Sequence, residues 1–397
     1  MKILCVNAGS SSVKFSLYEM PNEKLICFSK FENISLKTSE YFFKFENLNI
    51  NKSININSHE YAVKIFIDLL IKYNVINNIQ EIKYIGHRVV HGGNLYSKSQ
   101  IVNKKDVKRL EKFNYLAPLH NPKNIECIKI FMKLNPNSKN VILVDTDFHS
   151  TIKEEMFMYP VPYEWYKKYH VRKYGFHGLN YRYVVLRMKK ILGNKNKMIV
   201  AHLGSGASLC AIKNGKSIDT SMGLSPLDGI MMGTRTGNID ARIISHVVKV
   251  SKKSYIEVIN ALNNKSGLEG ISGISSDMRE IEKKYKKKDK RCVLAVNMYV
   301  QKIVNYISMY NTLLENTDAL IFTAGIGERF PFIRKLIINK LKCLGFDIDD
   351  SKNNNVNKDI TLISSKNSKV KIYVVKANEE IIIAKDTYNL VKIDRMI

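Results

Sequence analysis

The chain has 397 residues, 45% of them hydrophobic and 10% aromatic, a composition that excludes a disordered protein and allows two domains. No stretch approaches the roughly 20 apolar residues of a membrane span, and Met1 leads directly into a strand without a signal peptide, so we expect a cytoplasmic protein that does not bind membranes. The net charge of +27 would favour nucleic-acid binding. However, Lys, Asn and Ile are abundant throughout the chain, and we find no base-reading helix and no stacking-aromatic motif. We therefore expect a chain-wide compositional bias and no nucleic-acid partner.

The first half of the chain begins with strands and continues with helices. The apolar periodicity predicts strands at 2–7, 13–18 and 24–31, a polar stretch to about 57, a helix at about 60–74, a strand at 82–85, helices at 105–114 and 123–134, and a strand at 140–145.

The second half repeats this order after an irregular, aromatic-rich stretch at 151–182. The pattern predicts strands at 197–202, 207–213 and 217–219, helices near 239–250, 253–263 and 276–312, a strand at 319–327, a helix at 330–344, a strand at 371–375 and a helix at 379–391. The repetition predicts a duplicated α/β unit.

Two of these strand pairs align with each other without a gap. Strand 2–7 runs through Gly9-Ser10 into a second strand, and strand 197–202 runs through Gly204-Ser205 in the same way. Turns of Gly and Ser expose backbone N–H groups with little side-chain bulk, which suits close approach to a phosphate. The duplication therefore favours nucleotide or phosphoryl chemistry.

Two arginines lie in glycine-rich segments, the first of them at the end of a strand. Arg88 lies in Gly86-His-Arg-Val-Val-His-Gly-Gly93, and Arg235 lies in Met232-Gly-Thr-Arg-Thr-Gly237. A guanidinium binds phosphate or carboxylate through two parallel hydrogen bonds, so the pair is typical of anion capture.

Other titratable residues also occupy loops and strand ends. We predict an active-site cluster from the loop histidines, which are His87, His91, His120, His149, His177 and His202. Asp145 ends an apolar strand, where α/β folds place functional carboxylates. Glu379 and Glu380 open the last helix, where an acid either complements the helix dipole or holds Mg²⁺ through water.

The cysteines and a third glycine motif are less informative. The six cysteines are far apart, with no Cys-x-x-Cys and no His/Cys cluster, so we expect reduced core thiols rather than zinc ligands or disulfides.

Phe322-Thr-Ala-Gly-Ile-Gly-Glu328 is compatible with a nucleotide pocket but lacks the full Gly-x-Gly-x-x-Gly, because Phe330 fills the last place.

Taken together, the motifs resemble those of the acetate kinase family, collinearly from Lys2 to Asp386. They are Asn7-Ala-Gly-Ser-Ser-Ser-Val-Lys14-Phe, the Arg88 and Arg235 segments, Leu116-Ala-Pro-Leu-His-Asn-Pro122, Tyr174-Gly-Phe-His-Gly178, Asp219-Thr-Ser-Met-Gly223, Ser266-Gly-Leu268, Ser272-Gly-Ile-Ser-Ser-Asp-Met-Arg279 and Phe322 to Glu328.

This resemblance implies an α/β fold, the duplicated ribonuclease-H-like, actin/Hsp70-type architecture of two lobes around a central cleft. The N-terminal lobe would be 1–148, completed by the C-terminal helix at about 377–397, and the nucleotide-binding lobe would be 149–376. The implied activity is reversible transfer of the ATP γ-phosphoryl group to acetate by direct in-line displacement, with Mg²⁺ or Mn²⁺ as cofactor, in a homodimer.

The resemblance also assigns roles to individual residues. Asn7 and Glu379 would hold the metal, with Glu380 as the alternative ligand, and Asp145, His177 and Arg235 would be catalytic. Arg88 would bind the substrate carboxylate. The acyl pocket would consist of Val90, Leu119, Phe176 and Pro226. The nucleotide would contact Lys14, His202, Leu203, Gly204, Ser205, Gly206, Asp277, Met278, Arg279, Gly325, Ile326, Gly327, Glu328 and Arg329.

The implied chemistry agrees with these residues. Acetate is ionised at pH 7, since carboxyl groups titrate near pH 4, so its oxygen needs no general base. The enzyme must align the reactants and neutralise charge around the moving phosphoryl group. Asp145 is therefore better suited to orienting Arg88 or Arg235 than to accepting a proton.

Several positions depart from the family pattern without removing a residue assigned to the chemical step. They are Ser205 in place of Asn, Leu179-Asn180-Tyr181 in place of Thr-Ser-His, Asn238 in place of Asp, Arg329 in place of Asn, and Asp147 in place of a small residue. Three of them border the nucleotide or the cleft, so they bear on donor affinity.

Three other functions remain open at this stage. A propionate kinase shares these motifs and differs mainly in the acyl pocket. A non-catalytic ATP-binding module of the actin/Hsp70 type would have no reason to keep Arg88, His177 and Arg235. A nucleic-acid binder would show steep salt dependence. The sequence does not decide the preferred acyl chain, the physiological direction or the nucleotide preference.

Overall fold

The computed structural model describes residues 1–118 and 120–394, which divide into two compact units. The N-terminal unit comprises Met1–Asp147 and the C-terminal segment from Asn378. The C-terminal unit comprises Phe148–Ala377. Within the described ranges, no helix has the length and apolar character needed to cross a bilayer.

The N-terminal unit contains a mixed sheet with helices packed against it. Its strands are β1 (Lys2–Ala8), β2 (Val13–Glu19), β3 (Lys24–Glu32), β4 (Ser39–Phe45), β5 (Leu48–Ile54), β6 (Tyr84–Val89), β7 (Gln100–Val102) and β8 (Lys139–Val144). Its first helices are α1 (His59–Lys72), α2 (Lys104–Leu110) and α3 (Asn121–Leu134), with 3-10 turns at Ile79–Glu81, Glu111–Leu116 and Asp147–Thr151, the last running into the C-terminal unit.

The C-terminal unit contains a second mixed sheet and most of the helices. The helices are α4 (Glu154–Phe157), α5 (Tyr163–Tyr169), α6 (Gly178–Leu192), α7 (Arg242–Ser251), α8 (Tyr255–Asn264), α9 (Gly267–Ser272), α10 (Met278–Lys286), α11 (Lys290–Leu313), α12 (Ala324–Arg329), α13 (Pro331–Lys340) and α14 (Asp350–Asn354), with a 3-10 turn at Lys342–Leu344. The strands are β9 (Lys197–Leu203), β10 (Ala207–Lys213), β11 (Lys216–Thr220), β12 (Ala319–Thr323), β13 (Ile360–Leu362) and β14 (Lys371–Val375).

The last helix, α15 (Glu379–Asp394), belongs to the N-terminal unit and packs on β1 and β6. Gly86 of β6 makes this approach possible, because a Cβ at this position would collide with the side chains of Ile383 and Thr387. The contact places the first turn of α15, with Glu379 and Glu380, at the carboxyl ends of β1 and β6.

The two sheets share the arrangement of their central strands, and the N-terminal sheet has two further strands, β4 and β5, at one edge. The described strands of the N-terminal unit follow the order β5-β4-β3-β2-β1-β6-β8-β7, and those of the C-terminal unit follow β11-β10-β9-β12-β14-β13. In each sheet the first strand pairs antiparallel with the second and parallel with the next central strand, as β1 does with β2 and β6, and β9 with β10 and β12. The duplication expected from the sequence is therefore present in the fold.

The cores of both sheets are apolar. Phe15 of β2 stacks on Phe66 of α1 with ring centroids 4.4 Å apart, and neither side chain is exposed. Central strands are buried on both faces, as expected for parallel strands covered by helices.

The sequence analysis was wrong in four regions. The strand predicted at 319–327 ends at Thr323, and α12 begins at Ala324. The polar stretch before residue 57 contains β4 and β5, in which Tyr41 and Phe43 face the core while Glu40 and Lys44 face solvent. The stretch at 151–182 holds α4, α5 and the start of α6. The long helix predicted at 276–312 is two helices. Helix α10 ends at Lys286, and α11 starts anew after Asp289, whose carboxylate accepts a hydrogen bond from the Cys292 amide.

Candidate active site

A buried ion pair lies at the carboxyl edge of the N-terminal sheet. Because β1, β6 and β8 are parallel, their carboxyl ends meet at one edge, and Arg88 near the end of β6 reaches Asp145 just after β8. Arg88 Nη2 donates to Asp145 Oδ2 at 2.6 Å, and Nε lies 3.1 and 3.2 Å from the two carboxylate oxygens. The Asp145 side chain is 1% exposed and that of Arg88 is 18% exposed. Burial works to lower the pKa of Arg88, but Asp145 and Glu379 together raise it above its ordinary value.

The same cluster includes the end of β1 and the start of α15. Arg88 Nη1 donates to Asn7 Oδ1 at 3.0 Å and lies 3.5 Å from Glu379 Oε2. Asn7 Nδ2 donates to Glu379 at 3.2 Å and to Glu380 at 3.1 Å. Lys14 Nζ lies 3.7 Å from Glu380, whose charge raises the pKa of this lysine. The structure thus brings together six residues proposed from the sequence, with Glu380 contacting Asn7 as Glu379 does.

Two asparagines that the sequence analysis did not assign hold the adjoining loop. Asn124 of α3 donates to the Ala8 carbonyl at 2.7 Å and accepts from the Val90 amide at 3.1 Å. Asn121 accepts from the His91 amide at 3.0 Å and donates to its carbonyl at 2.8 Å. Both amides are buried, so α3 fixes the end of β1 and the backbone that directly follows Arg88. The Asn-Pro pair at the start of α3 was the available signal, since it places Asn121 at a helix start.

In the C-terminal unit, the β9–β10 hairpin carries the second Gly-Ser turn. Leu203 pairs with Ala207, so Gly204, Ser205 and Gly206 form the tip. The Gly233 amide donates to the Ser205 carbonyl at 3.0 Å, which ties the tip to the segment that carries Arg235. A Cβ on Gly206 would lie 3.2 Å from Arg235 Nη1 and 3.6 Å from His177 Nε2. The glycine therefore keeps the space that both side chains face.

His177 and His202 lie together beside this tip. Their rings stack with centroids 4.0 Å apart and planes 17° apart. His177 precedes α6 in a left-handed conformation (φ 60°), and its Nδ1 lies 2.8 Å from Ser208 Oγ. Burial lowers the pKa of Arg235, yet a guanidinium stays charged at neutral pH. The cluster therefore places a cation and an imidazole beside backbone that can bind an anion.

The other expected nucleotide contacts lie on the same unit. Asp277 caps α10 and accepts from the Arg279 guanidinium at 2.6 Å, while the Arg279 side chain is 78% exposed. These hydrogen bonds from Arg279 lower the pKa of Asp277. Gly325 lies in the first turn of α12, where a Cβ would meet no atom within 4 Å, and Arg329 is exposed at the end of this helix.

Beneath α12 lies a buried arginine that sequence reasoning missed. Arg334 is 1% exposed and donates to the Gly327 and Glu328 carbonyls at 2.8 and 2.9 Å. It also donates to Asn353 Oδ1 at 2.7 Å. Burial lowers the pKa of Arg334 to about 10. This guanidinium holds the last carbonyls of α12 in place, and no motif marks it because most of its partners are main-chain carbonyls and Asn353 lies 19 residues away.

The expectation of one cluster of loop histidines is wrong. His87 is buried against Asn140, His91 lies in the loop held by Asn121, and His149 is buried between Ser217 and the Phe176 carbonyl. Burial lowers the pKa of each of these three imidazoles to about 4, so they are neutral structural residues. His120 lies at the start of α3. The thiols expected in the core are free and buried except for Cys343, which is exposed.

The residues expected around the acyl group are divided between the units. Val90 of the N-terminal unit is 5% exposed, and Phe176 of the C-terminal unit is 1% exposed. The Pro226 carbonyl accepts from Arg235 Nη1 at 3.5 Å. Leu119 lies outside the described residues.

The donors around Asn7 fit a hard cation. In the described chain, no three His, Cys, Asp or Glu side chains are arranged to ligate a metal ion. Magnesium is usually held by one or two carboxylates with water and substrate phosphates completing its shell, so oxygen atoms of Asn7 and Glu379 suit it. The carboxylates of Asp145, Glu379 and Glu380 lie together in this cluster, and their oxygen atoms are of the kind that a hard cation prefers.

Comparison with known proteins gives one consistent result. The model of the acetokinase family matches residues 2–385. The chain is 46% identical over 387 residues to an acetate kinase of Phytoplasma mali (strain AT), covering 97% of this chain and 98% of that protein. It is 43% identical to an acetate kinase of Mycoplasma capricolum, covering 98% and 100%.

Solved structures agree with the sequence comparison. The fold superposes on an acetate kinase of Porphyromonas gingivalis with a TM-score of 0.88 at 36% identity, covering 98% of this chain and 99% of that one. It superposes on a propionate kinase of Francisella tularensis with a TM-score of 0.91 at 41% identity, with the same coverage. The architecture is therefore the duplicated α/β fold of the actin/Hsp70 type, and the chain belongs to the acetokinase family.

Proposed function

We propose that this enzyme transfers the γ-phosphoryl group of ATP reversibly to acetate, giving acetyl phosphate and ADP. The observation that carries the proposal is the pairing of anion-binding groups in each unit of an acetokinase-family chain: Arg88 held by Asp145 in one, and Arg235 with His177 beside a Gly-Ser-Gly tip in the other. Because ATP is the phosphoryl donor, we also propose that the enzyme acts in the cytoplasm.

The N-terminal cluster is suited to bind the acceptor and the metal. Arg88 binds the acetate carboxylate, and Asp145, fully buried and hydrogen-bonded to the guanidinium, orients it. Asp145 therefore acts on the position of Arg88 rather than on a proton, since acetate is already ionised at neutral pH. Asn7 and Glu379 hold Mg²⁺, or Mn²⁺ in its place. When bound, this ion neutralises charge on the phosphate oxygens.

The C-terminal cluster is suited to bind the donor. The tip formed by His202 to Gly206 cradles phosphate through its main-chain amides, and Lys14 of the N-terminal unit adds a charge to the phosphates. Asp277, Met278 and Arg279, together with α12 from Gly325 to Arg329, contact the nucleoside. His177 and Arg235 stabilise the charge that spreads over the phosphoryl oxygens in the transition state.

The size of the acyl pocket should determine whether the enzyme prefers acetate or propionate. We propose that Val90, Leu119, Phe176 and Pro226 surround the methyl group, and that Val90, the smallest aliphatic member, limits chain length. An acyl-hydroxamate assay with ATP and Mg²⁺ should give higher kcat/KM with acetate than with propionate or butyrate. Absence of any acyl hydroxamate would indicate a non-catalytic ATP-binding module instead.

The variant Val90→Ala sharpens this test. It should raise kcat/KM for propionate relative to acetate by about tenfold, because one methylene in an apolar pocket is worth about 1–3 kcal/mol. The matched control is Val107→Ala, because Val107 on α2 is also a buried valine of the same unit but is not assigned to the acyl pocket. An unchanged substrate ratio in Val90→Ala would place the acyl group elsewhere.

We also propose that the chain forms a homodimer. Helix α7 has no buried residue, although its apolar side chains lie on one face, and Ile256 of the following helix is 69% exposed. A soluble protein rarely leaves such a surface uncovered. Sedimentation analysis of the wild type and of Ile256→Asp should show a dimer that the substitution weakens.

A further inference from the structure

The segment between β11 and α7 is irregular, yet it carries two residues of the proposed site. All of it, residues 221–241, is described by the structure, and it forms neither helix nor strand although it contains Pro226 and Arg235. Met222 and Ile230 of this segment are completely buried. Buried main-chain groups need hydrogen-bond partners, and where no sheet or helix supplies them, side chains must do so. The side chains that hold this segment therefore decide where Pro226 and Arg235 lie.

Tyr159, in the loop between α4 and α5, joins two points of this segment through its hydroxyl group. The hydroxyl accepts from the Leu224 amide at 2.9 Å and donates to Asp228 Oδ2 at 2.9 Å. An amide N–H can only donate and a carboxylate oxygen can only accept, so the partners fix both directions. The other oxygen of Asp228 accepts from the Gly229 amide at 2.9 Å. Tyr159 therefore closes the turn from Leu224 to Asp228, and Pro226 is the central residue of this turn.

A glycine permits the close approach of the Tyr159 hydroxyl. A Cβ at Gly223 would collide with this hydroxyl and with Asp228 Oδ2. Burial, together with the Asp228 carboxylate, raises the pKa of Tyr159, so the phenol keeps the proton that it donates.

The same glycine ties the turn to the segment that carries His177. The Gly223 carbonyl accepts from the amides of Tyr174 and Gly175 at 3.0 and 3.2 Å. Phe176 and His177 follow directly in the chain. The start of the turn is therefore fixed to the backbone that leads to these two residues.

The turn is also connected to Arg235. The Pro226 carbonyl accepts from Arg235 Nη1 at 3.5 Å. The Asn238 amide donates to the Gly229 carbonyl at 2.8 Å, and the Gly229 amide donates to Asn238 Oδ1. A shift of the turn would therefore move both an acceptor of the Arg235 guanidinium and the end of the segment that carries it.

We propose that Tyr159 is a positioning residue that fixes Pro226 in the acyl pocket and, through the Pro226 carbonyl, orients Arg235. It acts through Leu224 and Asp228 rather than on the reactants. The inference rests on the proposed function, in which Pro226 lies beside the acyl methyl group and Arg235 stabilises the transferring phosphoryl group. An apolar pocket selects chain length by the space that it leaves, so a fixed Pro226 favours acetate over propionate.

The first test is steady-state kinetics of Tyr159→Phe, which removes one oxygen atom. The value of kcat/KM for acetate should fall about tenfold, because groups that must be aligned are displaced. The acetate-to-propionate ratio of kcat/KM should fall several-fold, while KM for ATP stays within about twofold. Tyr183→Phe, whose lost hydroxyl accepts from Arg187 at 3.1 Å within α6, is the matched control and should leave all three quantities within about twofold of wild type. A purely structural role of Tyr159 would lower stability without changing the preferred acyl chain.

The second test is a double-mutant cycle with Asp228→Ala. This variant removes the acceptor of the Tyr159 hydroxyl, and it provides a second way to open the turn if Tyr159→Phe does not fold. The fold-changes in kcat/KM of the two single variants should not multiply in the double variant, because both break the same hydrogen bond. Fold-changes that multiply would show that the two residues act independently and would overturn the inference.

The third test does not depend on turnover. Hydrogen exchange of the Leu224 amide should be faster in Tyr159→Phe than in wild type and in Tyr183→Phe, because this amide loses its acceptor. Unchanged exchange at Leu224, or an unchanged acetate-to-propionate ratio, overturns the inference even if the enzyme is fully active. A wild-type protein that forms no acetyl phosphate overturns the proposed function, while exchange at Leu224 still decides whether Tyr159 holds the turn.

Discussion

The Arg88–Asp145 pair offers the sharpest test of how this site is built. In Arg88→Lys the positive charge stays, but one ammonium group replaces a guanidinium that donates to Asp145 through two nitrogens and to Asn7 through a third. Lysine can keep one of these contacts. The variant therefore loses two hydrogen bonds without losing the charge.

The expected magnitudes follow from this count. Hydrogen bonds to charged groups contribute about 1.5–3 kcal/mol each, and the Asn7 contact contributes less, so the free energy of unfolding should fall by about 2–4 kcal/mol. The value of kcat/KM for acetate should fall by about 100-fold or more, the typical effect of removing one positioned donor. Arg88→Ala should be less stable still, by about 3–5 kcal/mol relative to wild type, because it leaves Asp145 buried without a cation.

The assay combines acyl-hydroxamate kinetics with urea unfolding followed by circular dichroism. Arg109→Lys is the control, because Arg109 is 65% exposed and its nearest carboxylate, on Asp106, is 3.9 Å away. This surface variant should stay within about twofold of wild type in kcat/KM, since exposed pairs contribute about 0–1 kcal/mol. A folded Arg88→Lys protein with wild-type kcat/KM for acetate would refute the assigned role of the pair.

Three further predictions concern the buried histidines, the hairpin tip and α12. The pKa values of His87, His91 and His149 are about 4 in the fold and about 6.5 in the unfolded chain. The free energy of unfolding should therefore decrease as pH falls from about 6.5 to about 4, by up to about 3 kcal/mol for each histidine. Equal urea midpoints at pH 7 and pH 5 would contradict this. Gly206→Ala should lower kcat about tenfold with the fold intact, because its Cβ displaces groups that must be aligned. Arg334→Lys should raise KM for ATP several-fold while KM for acetate stays constant in steady-state kinetics.

Local sequence patterns determined much of this protein. Apolar strands followed by Gly-Ser turns predicted both hairpins, and the repeated order of strands and helices predicted a duplicated α/β unit that the sheet orders confirm. Arg88 and Arg235 were singled out because glycines flank them. These signals are readable because strand and turn preferences depend on residues that are neighbours along the chain.

The sequence analysis missed strands β4 and β5 because many of their side chains are polar. Strands β4 and β5 consist of alternating apolar and polar residues, and their many polar side chains resemble a loop in composition. They form strands because Tyr41 and Phe43 bury one face against the core while the other face stays in water. Composition alone does not record which face of a strand is covered.

The partners within the site were decided by tertiary structure. The sequence left Asp145 to orient either Arg88 or Arg235, and the parallel pairing of β6 with β8 brings it to Arg88, 57 residues away. The support that Arg334 gives to α12 was equally hidden. Its hydrogen bonds to main-chain carbonyls depend on how α13 packs against α12, and no short stretch of sequence specifies that packing.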